Sequence, residues 1–272
     1  MSEKSVRIPA SFGLSETLDC GQAFRWRQEG DVWRGAAYGK ELSIRELGAE
    51  LELSCSGQDL KQVWRDYFDL GEDYEAIRME LSELSPVLKE AAEFAPGIRI
   101  LRQEPWEALC SFVLSQNNNI KRIKGIVERF CNLFGDEIEG SELRAFPSAE
   151  RLAQLELEDL EELHSGYRAP YILDAARKVA NSEIDLNRVA QEPAAYGREE
   201  LRKIKGVGPK VAECALLYGF HKTDCFPMDV WMKRAMAQLL PGKTPEDFGT
   251  NAGIAQQYIF HYSRMHPELF AD

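Results

Sequence analysis

Short stretches in which apolar and polar residues alternate occupy the first third of the chain. A period of two residues is typical of strands that bury one face. Turn signals around Gly30, Gly39 and Gly48 separate these stretches. The pattern therefore predicts an antiparallel sheet, with strands at residues 24–28, 32–38, 41–46 and 50–55.

From about residue 59 the apolar residues recur every three or four positions, which is the spacing of amphipathic helices. The clearest stripe consists of Ile120, Ile123, Val127, Phe130 and Phe134. Further helices are predicted at residues 105–115, 149–155, 169–181, 198–205, 209–220, 229–239 and 251–265. We expect an α+β protein, with a small antiparallel β-rich N-terminal domain at residues 1–97 and a mostly helical domain at residues 98–272.

Length and composition fit a soluble globular protein, with 272 residues of which 44% are hydrophobic and 29% charged. The sequence contains no run of about 18 apolar residues, so no membrane-spanning helix is predicted. The N-terminus has no apolar stretch that could serve as a secretory signal. We therefore expect a protein that is neither membrane-bound nor secreted, and that resides in the cytoplasm, or in the nucleus if its source is eukaryotic.

The net charge of −12 argues against a nucleic-acid partner, because DNA-binding domains usually carry a basic excess. The local distribution of charge changes that picture. Residues 198–234 contain eight Lys and Arg against five Asp and Glu, and residues 121–129 contain four bases and one acid. A basic face on an acidic body is compatible with DNA binding.

Cysteine spacing gives no sign of a metal centre. No Cys-x-x-Cys pair occurs, and the chain has only four His. Zinc sites and iron–sulfur clusters need closely spaced ligands, so we expect neither, and we expect reduced thiols. The six cysteines are Cys20, Cys55, Cys110, Cys131, Cys214 and Cys225.

A tight turn is predicted between two helices at residues 201–214. The first helix is expected to end at Lys205, and Gly206 and Gly208 are expected to supply positive φ angles. Pro209 suits the first position of the next helix. The exposed backbone N–H groups of such a turn, together with the start of a helix, favour a phosphate site without sequence preference. A plain helix–turn–helix connector is the alternative.

Lys210 falls in the first turn of this second helix, where the helix dipole favours a neutral amine. A neutral lysine is a nucleophile that can form a Schiff base. Asp229 follows nineteen residues later as a predicted helix N-cap. If both helix starts line one cleft, this amine–carboxylate pair suits cleavage of an N-glycosidic bond. The alternatives are a solvated or phosphate-binding lysine and an ordinary capping aspartate.

Residues 206–214, followed by residues 227–230, resemble the hairpin, lysine and aspartate of the 8-oxoguanine DNA glycosylase/lyase family, within the helix-hairpin-helix superfamily. Three other segments resemble further family motifs in matching order, namely residues 18–26, 115–123 and 165–169. The resemblance implies a bifunctional DNA glycosylase and abasic-site lyase that removes 8-oxoguanine from duplex DNA, preferably opposite cytosine. The implied steps are base flipping, a Schiff base on Lys210 assisted by Asp229, and β-elimination.

The resemblance also implies roles for individual residues. The base pocket would consist of Gly21, Cys214, Gln256, Phe260, Phe112 and Met228. The groups that fill the gap and read the opposite base would be Asn117, Arg122, Tyr167 and Arg168. The hairpin that binds phosphate would be Gly206, Val207 and Gly208. No metal or organic cofactor is expected for catalysis, a structural monovalent cation can lie at the hairpin, and a monomer is expected.

Several of these residues have a structural interpretation as well. Residues 117–119 could form a turn and N-cap, Phe260 could belong to a core stripe, and Tyr167 and Arg168 could be ordinary loop residues. The sequence also departs from the family. Trp231 stands where some members have a phosphate-binding His, and Ser263 stands where that His usually has an acidic partner.

Two other functions remain open at this point. A non-catalytic helix-hairpin-helix module would need the turn at residues 206–208 but neither Lys210 nor Asp229. A glycosylase for another damaged base is the second alternative. Adenine- and pyrimidine-specific relatives usually carry four clustered Cys, and alkylbase-specific relatives lack the lysine. The predicted pocket therefore favours 8-oxoguanine.

Overall fold

The N-terminal part of the chain forms a five-stranded antiparallel sheet in the computed structural model, which describes residues 5–270. Its strand order is β1-β5-β4-β3-β2. The strands are β1 Val6–Pro9, β2 Arg27–Glu29, β3 Val32–Ala37, β4 Lys40–Leu47 and β5 Glu50–Leu53. In register, Ile44 pairs with Leu53, and both are fully buried on the core face. This confirms the α+β class and the antiparallel N-terminal sheet.

The edges of the sheet differ from the prediction. Strand β1 was not predicted, although it pairs with β5 over four residues. The predicted strand at residues 24–28 was wrong for its first half, because β2 begins only at Arg27. Phe24 packs edge-on against Phe112 at 5.7 Å, within the helical core. Its burial therefore reflects tertiary packing and not a strand.

Aromatic side chains fill the core under the sheet. Trp26 donates from Nε1 to the Tyr67 hydroxyl at 2.7 Å and packs edge-on against Trp64. A buried Trp usually finds such an acceptor for its N–H. The covering elements are α1 Leu14–Leu18, α2 Gly57–Asp59, a π-helical turn Leu60–Trp64 and α3 Arg65–Tyr67.

The rest of the described chain is mostly helical. Its helices are α4 Tyr74–Leu84, α5 Pro86–Phe94, α6 Pro105–Leu114, α7 Ile120–Phe134, α8 Ala149–Ala153, α9 Ala169–Ala180, α10 Leu186–Gln191, α11 Ala194–Leu201, α12 Pro209–Phe220, α13 Val230–Leu239 and α14 Ala252–Met265. Helices α6 and α12 pack closely at the centre. Gly219 allows this approach, because a Cβ there would lie 2.9 Å from the Cβ of Ala108.

Helices α4 and α5 share the core of the helical domain. Their buried residues Ile77, Leu81 and Leu88 belong to the same cluster as α12 and α14. The domain boundary at residue 97 stays a prediction, and residues 1–4 and 271–272 of the two predicted domains lie outside the described part of the chain. None of the helices within residues 5–270 is long and apolar enough to cross a membrane.

Two helix predictions before the turn were wrong. The helix predicted at residues 198–205 lies at Ala194–Leu201, and α10 was not predicted. Side chains from α9 hold the chain that follows α11. Asp174 Oδ2 accepts from the Lys205 N–H at 2.7 Å, and Lys178 Nζ donates to the Lys203 carbonyl at 2.6 Å. These tertiary bonds replace the helical bonds of that turn.

Candidate active site and DNA-binding surface

The turn between α11 and α12 confirms one predicted backbone angle and corrects the other. Gly206 has φ +80°, and a Cβ there would lie 2.2 Å from the Tyr171 ring. Gly208 does not have a positive φ; its φ is −89° and its ψ is −178°, an extended conformation that any residue adopts. No heavy atom lies within 4 Å of a Cβ at Gly208. As the N-cap residue of α12 it leaves the helix start uncovered, with Pro209 in the first turn as predicted.

Lys210 lies in the first turn of α12 and is partly exposed. Its Nζ donates to the Ser115 hydroxyl at 3.4 Å and lies 5.4 Å from the centroid of the Phe112 ring. Both neighbours come from α6 and the residue that caps it. The amine is therefore held at the contact of the two central helices, with one side on an aromatic ring.

Asp229 caps α13, as predicted, because its Oδ1 accepts from the Met232 N–H at 2.7 Å. The buried thiol of Cys214 lies within the electrostatic reach of both Asp229 and Lys210. Burial raises the pKa of Cys214, the Lys210 ammonium lowers it, and the Asp229 carboxylate raises it. The amine and the carboxylate thus both act electrostatically on one thiol, and Met228 is partly buried against the helical core.

Gly21 and Phe260 lie together although 239 positions separate them in the chain. Gly21 has φ +95°, and a Cβ there would lie 3.6 Å from Phe260 Cε1 and 3.1 Å from Ile120 Cδ1. The Arg264 guanidinium lies 5.5 Å from the Phe260 ring centroid. Sequence reasoning took Ile120 as the start of a helix stripe and gave Arg264 no role.

A buried hydrogen-bond network supports this pocket from behind. The Tyr218 hydroxyl donates to Gln257 Oε1 at 2.6 Å and lies 3.4 Å from Gln256 Oε1. Gln257 Nε2 donates to the Cys20 carbonyl at 3.3 Å. Tyr218 also stacks on Phe112, with ring centroids 5.1 Å apart. The predicted pocket residues Gln256 and Phe112 are therefore joined through Tyr218 to the segment that ends at Gly21.

Two loops meet next to Ser115, the residue that contacts Lys210. Asn117 is exposed and has φ +46°, while Tyr167 is 51% exposed and donates from its hydroxyl to the Gln116 carbonyl at 3.2 Å. Arg168 is only 2% exposed, and its guanidinium donates to the carbonyls of Gln116 at 2.8 Å and Asn117 at 2.9 Å. Asn119 is the N-cap of α7, through a 2.9 Å bond from the Arg122 N–H.

Three arginines bind three successive carbonyls in the second loop. Arg129 donates to the carbonyl of residue 163 at 2.9 Å, Arg122 to that of residue 164 at 3.3 Å, and Arg168 to that of residue 165 at 3.1 Å. We call Arg122, Arg129 and Arg168, with the carbonyls of residues 163–165, the arginine clamp. Sequence reasoning missed Arg129, because its spacing gives only a base on a helix face.

The two departures from the family contact one another. Trp231 Nε1 donates to the Ser263 hydroxyl at 2.9 Å, and that hydroxyl donates to the Phe260 carbonyl at 3.1 Å. The pair therefore ties α13 to α14 beside Phe260. Within the described chain, no group of three or more His, Cys, Asp or Glu could hold a metal ion. All six cysteines are buried free thiols.

Comparison with known proteins covers both parts of the chain. Residues 5–109 match the N-terminal domain of 8-oxoguanine DNA glycosylase, and residues 110–250 match the HhH-GPD superfamily of base excision DNA repair proteins.

Similar proteins come from a eukaryote, an archaeon and a bacterium. The N-glycosylase/DNA lyase of Saccharomyces cerevisiae is 35% identical over 81% of this chain and 66% of its own length. The probable N-glycosylase/DNA lyase of Methanothermobacter thermautotrophicus is 34% identical over 95% of this chain and 96% of its own length. A solved structure of the Clostridium acetobutylicum 8-oxoguanine glycosylase/lyase contains duplex DNA with cytosine opposite 8-oxoguanine. It is 35% identical, with a TM-score of 0.90 over 98% of this chain and 97% of that chain. The chain therefore belongs to the 8-oxoguanine DNA glycosylase family of the HhH-GPD superfamily.

Proposed function

We propose that this protein is a bifunctional DNA glycosylase and abasic-site lyase, which binds duplex DNA, excises 8-oxoguanine and then nicks the strand. The observation that carries the proposal is the placement of Lys210 and Asp229 at two helix starts, where the amine contacts Ser115 and the charges of both groups act on the Cys214 thiol. Membership of the family supports the reaction class, which needs no organic cofactor. Its place of action is then wherever genomic DNA lies, the bacterial cytoplasm or a eukaryotic nucleus.

Lys210 acts as the nucleophile in this proposal. Its neutral amine attacks C1′, and the N9–C1′ bond breaks so that the base leaves with the electron pair. Positive charge that builds on the sugar is stabilised by the Asp229 carboxylate, which Met232 holds by the cap bond. One proton of the attacking amine passes to the departing base; the C1′–O4′ bond then breaks, O4′ takes up the second proton, and a C1′=N imine forms. Loss of a C2′ proton then expels the 3′ phosphate by β-elimination.

The flipped base would lie between Phe260 and Cys214, and Gln256 would read its Watson–Crick edge. The main-chain carbonyl of Gly21 would accept the N7–H that 8-oxoguanine has and guanine lacks. Guanine would place a lone pair against that carbonyl, which is repulsive. The proximity of Gly21 and Phe260 supports this assignment.

In the damaged strand, Asn117 and Tyr167 would fill the space of the extruded base, and their exposure supports this role. Arg122 and Arg168 would donate to the acceptors of the estranged cytosine. The Arg168 guanidinium donates to loop carbonyls in this structure. Its proposed role therefore requires that it release these carbonyls and donate to the cytosine instead. The preference for cytosine, and action as a monomer, belong to this proposal.

The turn at residues 206–208 would grip a backbone phosphate through N–H groups and the start of α12. The open space around Gly208 supports a close approach of the DNA backbone. A structural monovalent cation at this turn stays a prediction. The two alternatives, a non-catalytic module and a glycosylase for another base, are outcomes of the experiment that follows.

Borohydride trapping tests the proposal on a duplex with one 8-oxoguanine opposite cytosine. Wild type and Lys210→Gln are compared, with undamaged duplex as the control. We expect a covalent adduct with wild type only and on damaged DNA only, while Lys210→Gln still binds the duplex. A normal rate of base release by Lys210→Gln would refute the role of the lysine. Binding without adduct or base release would favour the non-catalytic module, and release of other damaged bases alone would favour the second alternative.

A further inference from the structure

One carboxylate links the helix that carries Lys210 to the segment that carries Asp229. Glu213 lies one turn after Lys210 on α12. Its Oε2 accepts from the Phe226 N–H at 2.8 Å, three residues before Asp229. Sequence reasoning gave Glu213 no role, because nothing local connects it to a backbone thirteen positions away.

The segment at residues 225–229 has no regular secondary structure. It spans the gap between α12 and α13, so its path depends on individual anchors. Phe226 supplies two of them: its ring stacks on Phe248 with centroids 5.6 Å apart, and its N–H is bound by Glu213. The bond to Glu213 is the anchor that connects the segment directly to α12, the helix that carries Lys210.

Arg198 of α11 fixes the carboxylate in turn. Its Nε forms an ion pair with Glu213 Oε1, and its Nη2 lies 3.5 Å from Oε2. Glu213 is only 16% exposed, and the carboxylate raises the pKa of Arg198. Charge-assisted bonds of this kind are geometrically specific. Glu213 therefore presents Oε2 to the Phe226 N–H in one orientation.

We propose that Glu213 is a positioning residue that sets the placement of the Asp229 carboxylate relative to the Lys210 amine. The inference rests on the proposed function and deepens it. Lys210 is held by α12 itself and by Ser115, and neither depends on Glu213. Loss of Glu213 should therefore displace the carboxylate and leave the amine in place.

This asymmetry separates two reactions of the same site. Base release needs Asp229 to stabilise the charge on the sugar, whereas imine formation at a preformed abasic site needs mainly the Lys210 amine. A misplacement of about 1 Å can cost roughly 100-fold in rate. The variant Glu213→Ala should thus lose on the order of 100-fold in base release and far less in imine formation.

The experiment measures single-turnover base release, borohydride trapping on a preformed abasic site, and duplex affinity. Glu213→Ala should slow base release selectively, with affinity unchanged. Glu213→Gln keeps an oxygen that can accept from Phe226 and should recover most of the rate. Arg198→Met should give a smaller, selective loss. Glu199→Ala, an exposed neighbour on α11, is the matched control and should equal wild type.

Equal losses in both reactions, in Glu213→Ala and in Arg198→Met alike, would mean a merely structural role and would overturn the inference. Base release at the wild-type rate in Glu213→Ala would overturn it as well. If Glu213→Ala does not fold, Glu213→Gln and Arg198→Met decide, because selective loss in the second and rescue in the first are both required. Wild type that neither releases base nor traps abasic DNA would instead refute the proposed function.

Discussion

At the scale of single residues, the two turn positions require glycine for different physical reasons. Gly206 is required by the protein itself, since its φ is +80° and the Tyr171 ring occupies the place of a Cβ. Gly208 has an ordinary extended backbone and open space around it. The requirement at Gly208 is therefore expected to come from DNA. The structure distinguishes these two requirements, whereas both glycines look alike in the sequence.

A matched pair of variants tests this difference. Gly206→Ala should destabilise the fold by more than about 1–2 kcal/mol, because strain at positive φ adds to the clash with Tyr171. Gly208→Ala should leave stability nearly unchanged and weaken duplex binding. Urea unfolding and DNA titration of both variants provide the measurements. Equal stability of the two variants would contradict the steric argument at Gly206.

At the scale of elements, the arginine clamp holds the loop that carries Tyr167 and Arg168 to helix α7. Arg129 is the member with no proposed contact to the opposite base, and it forms two bonds to the carbonyl of residue 163 at 2.9 and 3.2 Å. Each bond to a charged donor contributes about 1.5–3 kcal/mol. The clamp therefore restrains the loop before DNA arrives.

Loss of Arg129 should loosen the opposite-strand contacts without touching the chemistry. We expect Arg129→Met to narrow the preference for cytosine over adenine opposite the lesion by several-fold. Imine formation on single-stranded abasic DNA should be unchanged, because that substrate has no opposite base. Lys121 is an exposed basic residue on the same helix, and Lys121→Met serves as the control. An unchanged base preference in Arg129→Met would show that the loop keeps its place without the clamp.

Sequence patterns identified most elements where the signal is local. Pro105 and Pro209 each begin a helix at the predicted residue, and Asp229 caps α13 as expected. The end of α11 escaped prediction because Asp174, from another helix, decides it. The same limit applies to the candidate site, since Ile120 comes close to Gly21 only through tertiary packing.

At the scale of the whole molecule, Asp69 joins the N-terminal part to the end of α12. Its carboxylate accepts from the Tyr74 hydroxyl at 2.9 Å and lies 3.3 Å from His221 Nε2 and 2.7 Å from Arg102 Nη2. Burial acts to raise the pKa of Asp69, but the bonds and charges of His221 and Arg102 outweigh it and lower the pKa. The folded state therefore favours the ionised carboxylate.

A lowered pKa in the folded state means stability that is present above the unfolded pKa of about 3.9 and lost as the pH falls through the folded value. Asp69→Asn should destabilise the folded state by about 1.5–3 kcal/mol at pH 7, because the buried carboxylate loses its charge-assisted bonds. The difference from wild type should shrink towards pH 3. Urea unfolding at both pH values measures it, and a difference that does not depend on pH would contradict the electrostatic account.

The contact of Tyr171 with the turn has a consequence for how such a protein can change over generations. The Tyr171 ring lies against Gly206 on one side and, at 6.0 Å between centroids, beside Tyr167 on the other. A mutation that alters this ring therefore disturbs both the turn at Gly206 and the side chain of Tyr167 in one event. A lineage could retune the pocket around Phe260 one residue at a time, but it could change this ring only together with two of its neighbours.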